Sequence, residues 1–220
     1  MRTTVALYAA LLTITAGCSS APQAAPPSSA APTTTTTTTT SAPKTPDPAL
    51  IEPRLLRAHV PDDLFASLGY SPRKASEQMN GSVVMCPERL PTDAARSATK
   101  LYSSWVNKAA FSQIYQFRFS YHTFDAAAET VQHARKVLDC EPFMFGDEGP
   151  YTPEKELVLP PLGADAQFAA CYTYELMRIC QLVISKDDLL SSIFFYGPQT
   201  ADSAGILEKV GQAAVPLMTD

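Results

Sequence analysis

The chain has 220 residues, 17 basic and 22 acidic side chains, and a formal net charge of −5. This mild acidity argues against a nucleic-acid partner, because phosphate binding requires clustered lysine and arginine. The length allows one or two domains, and 45% of the residues are hydrophobic, enough for an ordinary core.

Residues 1–18 are typical of an export signal. Arg2 supplies a positive start, a short apolar stretch runs from Val5 to Ala16, and Gly17 leads into Cys18. The stretch is too short for a stable membrane-spanning helix, which needs about 20 residues. The segment Thr15-Ala16-Gly17-Cys18 resembles a bacterial lipobox, in which the cysteine is acylated with palmitate-type chains and becomes the mature N-terminus. The alternative is an ordinary secretory signal with a chance cysteine.

Lipidation of Cys18 would anchor the protein at the extracytoplasmic face of the cell membrane. Residues 19–48 are nearly all Ser, Ala, Pro, Thr and Gln, and Thr33 to Thr40 are all threonine. Such a composition cannot build a core, so we expect a disordered tether there. A single globular domain is predicted over residues 49–220.

Cysteine usage fits export to an oxidising compartment. Five cysteines are present, and removing the lipidated one leaves an even number in the globular part. Two disulfides are therefore expected. None of these cysteines is arranged as Cys-x-x-Cys, the spacing of thioredoxin-type redox sites and zinc knuckles. The four are Cys86, Cys140, Cys171 and Cys180.

The first predicted elements of the domain are short. A helix is expected over Asp62–Leu68, with Asp62 as its cap because an aspartate side chain can accept from unpaired first-turn amides. Asn80-Gly81 predicts a turn, and a brief apolar strand is expected from Ser82 to Cys86.

The clearest strand runs from Phe111 to His122, where aromatic and polar residues alternate with a period of two. Its aromatic face is more often core than ligand cleft, and Gln113 is the polar exception on that face. If the sheet is open on the other side, Gln116, Arg118 and His122 form a tentative ligand cleft. Arg118 is then the expected contact for an anionic group, because a guanidinium forks onto carboxylate or phosphate.

The remaining elements define the fold class. A helix is expected over Asp125–Asp139, capped by Thr123 or Asp125, and the Pro- and Gly-rich residues 142–163 predict an irregular loop. The order of elements favours an α+β fold, a single domain with a mostly antiparallel sheet packed by helices. The later elements are three strands over Gln167–Tyr174, Met177–Ser185 and Leu189–Tyr196, and a final helix over 202–217.

No motif of a catalytic, metal or cofactor site is present in the sequence. The nucleophile elbow Gly-x-Ser-x-Gly is absent, no two histidines have the i, i+4 spacing of a metal-binding helix, and the acidic pairs lack the spacing of a calcium loop. We therefore expect a protein that is not an enzyme and needs no cofactor.

The sequence features of the chain, taken in chain order, resemble a known module. These are a lipobox, a Thr/Pro linker, Cys86 after a helical lead-in, a strand region at Tyr102–Trp105, an Ala-rich helix from Phe124 to Cys140, and a late cysteine pair before a terminal helix. Together they resemble the extracellular sensor domain of mycobacterial serine/threonine kinases of the PknH type, a module that also occurs in stand-alone actinobacterial lipoproteins. The resemblance implies the pairs Cys86–Cys140 and Cys171–Cys180, and a cleft as the ligand site.

The hairpin around Glu175-Leu176 supports the second of these pairs. In the register of a two-residue turn, Cys171 faces Cys180 on a non-hydrogen-bonded pair, where Cα atoms lie about 4.5 Å apart. That spacing is near the short end of what a disulfide accepts. Glu-Leu is poor chemistry for the turns that hairpins prefer, so a four-residue loop with the same pairing is equally open.

These observations lead to one functional expectation and one alternative. The first is a non-catalytic, ligand-binding or sensor-like lipoprotein of the cell envelope, whose partners are the membrane and an unknown small ligand. The alternative is a protein–protein interaction module that binds another envelope protein.

Overall fold

The computed structural model describes residues 45–73 and 83–219. The described residues belong to one compact unit. Expectations about Cys18, residues 19–44 of the tether, the turn at Asn80-Gly81 and the start of the brief strand at Ser82 lie outside the described residues.

The described residues form four α-helices, eight strands and two short 3-10 turns. The helices are α1 (Ile51–Arg57), α2 (Asp62–Ser67), α3 (Phe124–Lys136) and α4 (Ser203–Leu217). The strands are β1 (Ser71–Arg73), β2 (Arg96–Asn107), β3 (Ser112–Tyr121), β4 (Phe143–Phe145), β5 (Glu148–Glu156), β6 (Ala166–Tyr174), β7 (Met177–Lys186) and β8 (Leu189–Pro198). The 3-10 turns cover Pro48–Leu50 and Pro91–Ala95.

All eight strands lie in one sheet of order β1-β2-β3-β8-β7-β6-β5-β4. Every neighbouring pair is antiparallel. The predicted α+β class with an antiparallel sheet is therefore confirmed, as are β3, β6, β7, β8, α3 and α4. The pairing of β3 with β8 joins the β2–β3 hairpin to the consecutive antiparallel strands β6, β7 and β8.

Helices cover both faces of the sheet and create two hydrophobic cores. The first core lies under α1, α2 and α4, and the second lies under α3. The capping side chains are Thr123, which accepts from the amide of Ala126, and Asp202, which accepts from the amide of Gly205. A two-sided arrangement explains why β7 and β8 read as almost continuous apolar runs.

The expectation of an irregular loop over 142–163 is wrong. This region contains β4 and β5, which form a hairpin turning at Gly146, where φ is 62°. β5 in turn pairs with β6. Proline and glycine favour loops, but pairing with a neighbouring strand overrides this local propensity at the edge of a sheet.

The brief strand predicted to end at Cys86 is absent among its described residues, Val83–Cys86. The backbone of this segment is bonded to side chains of the sheet. Gln181 Nε2 and Ser192 Oγ both donate to the carbonyl of Val83, and the amide of Met85 donates to Gln181 Oε1. The apolar residues therefore anchor a segment on the sheet face without adding a strand to it.

Asp62 does not cap α2 as expected. The residue before the helix is Pro61, and Asp62 is the first helical residue. Its Oδ1 accepts a hydrogen bond of 2.7 Å from Trp105 Nε1. The carboxylate thus ties α2 to β2, because the indole N–H of a buried tryptophan needs an acceptor.

Both predicted disulfides are present, Cys86–Cys140 and Cys171–Cys180. In the second pair, the Cα atoms lie 4.0 Å apart, and the register places Tyr174 opposite Met177. The two-residue turn is therefore the one that forms, with Glu175 at φ 50°. This bridge fixes the register of β6 on β7, because a one-residue slip would exchange the faces of both strands.

A buried ion pair joins the N-terminal helix to the sheet. Arg54 Nη1 of α1 donates to Asp188 Oδ1 in the turn between β7 and β8. Asp188 is 0% exposed and Arg54 is 4% exposed. The second carboxylate oxygen accepts from Ser120 Oγ at 3.0 Å, and the carbonyl of Asp188 accepts from the amide of Tyr121. Three distant segments therefore meet at one carboxylate.

Removing the two disulfides separately should cost different amounts of stability. Both pairs are buried, but the bridged cysteines are 54 residues apart in one and 9 in the other. Chain-entropy arguments give roughly 4 kcal/mol for the longer loop and roughly 2.5–3 kcal/mol for the shorter one. Urea unfolding of the Cys86→Ala/Cys140→Ala and Cys171→Ala/Cys180→Ala double variants measures both losses. A larger loss for the second variant would contradict this ranking.

Neutralising Asp188 should destabilise the fold strongly. Asp188→Asn leaves the buried Arg54 guanidinium without its carboxylate, and loss of one partner of a buried pair costs about 3–5 kcal/mol. Asp187→Asn is the matched control, because asparagine tolerates the φ of 53° at that neighbouring position. Equal midpoints of urea unfolding for the two variants would show that the ion pair carries no such weight.

Candidate functional site

The tentative cleft residues on the polar face of β3 do not form an open cleft. Gln116 is 0% exposed and Arg118 is 4% exposed, because the segment from α1 to Val60 covers this face. Gln116 Nε2 donates to the carbonyl of Ala58, and its Oε1 accepts from the amide of Val60. His122 lies just beyond the end of β3 and is exposed.

Arg118 also bonds to the segment from α1 to Val60 that covers this face. Its Nη1 donates to the carbonyl of Leu55 at 3.0 Å, and its Nη2 donates to Ser103 Oγ at 2.9 Å. Burial lowers the pKa of Arg118 to about 10, which still leaves a cation at neutral pH. The cleft was expected only if the sheet is open on this side, and here the polar side chains satisfy backbone groups at the end of α1 that would otherwise be unpaired.

His59 extends this network toward the surface. Ser103 Oγ, which accepts from Arg118, lies 3.2 Å from His59 Nδ1 and can donate its own proton there. The imidazole also stacks on Trp105, with ring centroids 5.6 Å apart. Burial, and secondarily the charge of Arg118, lowers the pKa of His59 below its usual 6.5, while Asp62 opposes the shift. The neutral imidazole is therefore the form that the fold favours.

The aromatic face of β3 divides into two parts. Phe117, Phe119 and Tyr121 belong to the core under α3, as the sequence favoured. Tyr115, nearer the start of the strand, is half-buried and lies beside Tyr102 of β2, with ring centroids 6.2 Å apart. The stripe is therefore core at one end and accessible surface at the other.

A carboxylate holds the β4–β5 hairpin against β8. Glu148 Oε2 accepts hydrogen bonds from Tyr151 of β5 at 3.1 Å and from Tyr196 of β8 at 2.6 Å. Phe145 packs beside Tyr196, with ring centroids 5.9 Å apart. Burial, followed by the hydrogen bond to Glu148, raises the pKa of Tyr196 to about 12. The hydroxyl therefore remains a donor at neutral pH, and the side chain of Glu148 is held in place.

A pocket of about 570 Å³ lies next to Tyr196, at the end of the sheet where the β2–β3 hairpin turns. We call it the hairpin-end pocket. Its volume is within the usual range of small-molecule sites. Its apolar walls are Val106, Phe111, Met177 and Tyr196, and its polar lining is Asn107, Lys108, Ser112 and Gln113.

Sequence reasoning did not find the hairpin-end pocket. Its residues come from β2, β3, β7 and β8, and the pairing of β3 with β8 is what brings them together. One signal was present, since Gln113 is the polar exception on the aromatic face of β3. A second, smaller pocket of about 170 Å³ is bordered by Arg135 and Glu156, which pair with each other at 3.1 Å.

No group of three or more His, Cys, Asp or Glu side chains in the described ranges is arranged to hold a metal ion. None of the described helices is both long and apolar enough to cross a membrane.

The fold is similar to that of a solved extracellular domain. Comparison with protein-family models and with curated proteins finds no match for this sequence. Among solved structures, the chain is similar to the extracellular domain of PknH from Mycobacterium tuberculosis, with a TM-score of 0.55 and 13% identity. The match covers 80% of this chain and 97% of that domain. At this identity the likeness shows a shared fold, in agreement with the expected architecture.

The lowered pKa of His59 predicts loss of stability in mild acid. The folded state binds the imidazole proton less tightly than the unfolded state, so stability is complete above pH 6.5 and decreases as the pH falls through the folded-state pKa. His59→Gln should flatten this part of the profile, measured by urea unfolding between pH 7.5 and pH 5. His133→Gln, on the exposed side of α3, is the control and should retain it. An unchanged profile in His59→Gln would contradict the assignment.

Proposed function

We propose that the chain is a ligand-binding, sensor-like module of the extracytoplasmic space, without catalysis, held to the cell membrane by a lipid on Cys18. The observation that carries the ligand-binding part is the hairpin-end pocket. It combines apolar walls with several polar side chains, the usual composition of a small-molecule site.

The location rests on separate observations. Both disulfides need an oxidising compartment to persist. The export signal and lipobox-like segment end at Cys18, and the composition of residues 19–48 is that of a tether. The shared fold with an extracellular domain supports the same placement. A lipid anchor makes the membrane the first partner of the protein.

A protein–protein interaction module is the second candidate. It is favoured by two exposed apolar side chains at hairpin turns, Phe111 at 78% exposure and Leu176 at 81% exposure. Exposed apolar groups of this size are common at interaction surfaces. Phe111 also borders the hairpin-end pocket, so Leu176 is the side chain that distinguishes the second candidate from the first.

Native mass spectrometry of the full lipoprotein, purified from its own host, tests the ligand-binding function. We expect a small molecule that remains bound under native conditions and is released on denaturation. Met177→Trp should abolish this additional mass by filling the hairpin-end pocket. Met144→Trp, at a largely exposed position of β4, is the control and should keep it. Loss of pulldown of a purified partner in Leu176→Ser, with no bound molecule in the wild type, would favour the second candidate.

The anchor predicts a clear change in localisation. Cys18→Ala should abolish acylation and move the protein from the membrane fraction to the soluble fraction, because lipid chains supply the membrane affinity. The measurements are fractionation and detergent-phase partitioning, with Ser19→Ala as control. Retention of Cys18→Ala in the membrane fraction would show that the anchor lies elsewhere.

A further inference from the structure

We infer that the hairpin-end pocket takes an amphipathic organic anion, a carboxylate or phosphate group carried on an apolar body. This inference rests on the proposed ligand-binding function and names the chemical class of the ligand. It follows from the hydrogen-bonding state of three polar side chains of the pocket, Asn107, Lys108 and Gln113.

The amide of Gln113 is oriented by its neighbours. Its Oε1 accepts from Arg73 Nη1 at 3.1 Å and from the hydroxyl of Tyr115 at 2.5 Å. A guanidinium can only donate, so the atom facing Arg73 must be the amide oxygen. The amide nitrogen remains as the group that Gln113 can offer to a ligand, and it can only donate.

The side-chain amide of Asn107, the residue before Lys108, is also oriented by a hydrogen bond. Its Oδ1 accepts from the amide of Ala110 at 3.0 Å, which closes the β2–β3 turn. The nitrogen Nδ2 is again the group left to donate. The ammonium of Lys108 carries three donors and no acceptor. Gln113 Nε2 and the Lys108 ammonium therefore favour a ligand group that accepts hydrogen bonds, as carboxylates and phosphates do.

The nearby carboxylate does not reverse this preference. Glu148 lies behind Tyr196 and already accepts from the hydroxyls of Tyr151 and Tyr196. Ser112 is engaged with the hydroxyl of Tyr70 at 2.9 Å. The charge bordering the pocket is therefore that of Lys108, with Arg73 behind Gln113. A cationic ligand would meet the positive charges of Lys108 and Arg73.

The apolar walls account for the rest of the ligand. Phe111 has φ 50°, a conformation that a bulky residue seldom adopts, and its ring is largely exposed. Phe111 and Met177 face the pocket from opposite hairpins and provide contacts for an alkyl or aryl group. The combination of donors and apolar walls is what selects an amphipathic anion.

Calorimetric titration of the full chain with four octyl compounds tests the class of ligand. Octanoate and octyl phosphate carry the expected head groups, while octyltrimethylammonium and octanol have the same chain with a cationic or neutral head. We expect both anions to bind at least about tenfold more tightly than the other two, the effect of one charge-assisted hydrogen bond. The ratio of octanoate to octyl phosphate distinguishes a fatty acid from a lipid phosphate, and inorganic phosphate measures the head group alone.

Two variants locate the binding. Gln113→Glu keeps an acceptor for Arg73 and Tyr115 but replaces the donating amide nitrogen with an oxygen, so it should weaken octanoate binding by about tenfold or more without lowering the unfolding temperature. Lys108→Gln should weaken it similarly. Lys209→Gln, on the exposed side of α4, should have no effect.

The outcomes separate this inference from the proposed function. Binding of octyltrimethylammonium as tight as that of octanoate, or equal binding by Gln113→Glu and wild type, would overturn the anionic class. If the molecule that purifies with the protein is cationic or uncharged, the ligand class is wrong and the ligand-binding function stands. Absence of a purified molecule together with no binding of any octyl compound would overturn the two proposals together.

Discussion

The carboxylate of Asp188 is the contact on which the arrangement of the N-terminal segment depends. It receives Arg54 from α1 and Ser120 from β3, while its own backbone accepts from Tyr121. Taking both charges out of water is costly, so the presence of the pair is by itself weak evidence of a net gain in stability. Because a misplaced α1 would leave the carboxylate buried and unpaired, the pair favours a single docked position of α1 on the sheet.

The docked segment determines which parts of the sheet remain accessible. With α1 and the residues up to Val60 lying over β3, the polar side chains Gln116 and Arg118 become internal and bond to backbone carbonyls. The opposite face is occupied by α3 and by the segment that Cys86–Cys140 ties to it. Space of ligand size is left at the hairpin end, beside Tyr196.

The hairpin-end pocket is assembled by long-range pairing. β3 lies against β8, which places Gln113 opposite Tyr196, and β8 lies against β7. The bridge Cys171–Cys180 fixes β6 on β7 and thereby the position of Met177 at the start of β7. Glu148 connects Tyr196 to the β4–β5 hairpin. A ligand bound there would contact strands from both halves of the chain.

The sequence by itself determined the local features of this protein. Alternation along β3, the apolar runs of β7 and β8, the stripe of α3 and the register of the hairpin at Glu175-Leu176 were all readable, because they depend on neighbours within a few residues. The period of β3 also showed which side chains share a face. It did not show what covers that face, since the packing of α1 on β3 and the burial of Asp188 depend on contacts between distant segments. The strands β4 and β5 also depend on a distant partner, because their prolines favour a loop and the pairing of β5 with β6 overrides that preference. The hairpin-end pocket likewise requires the pairing of β3 with β8.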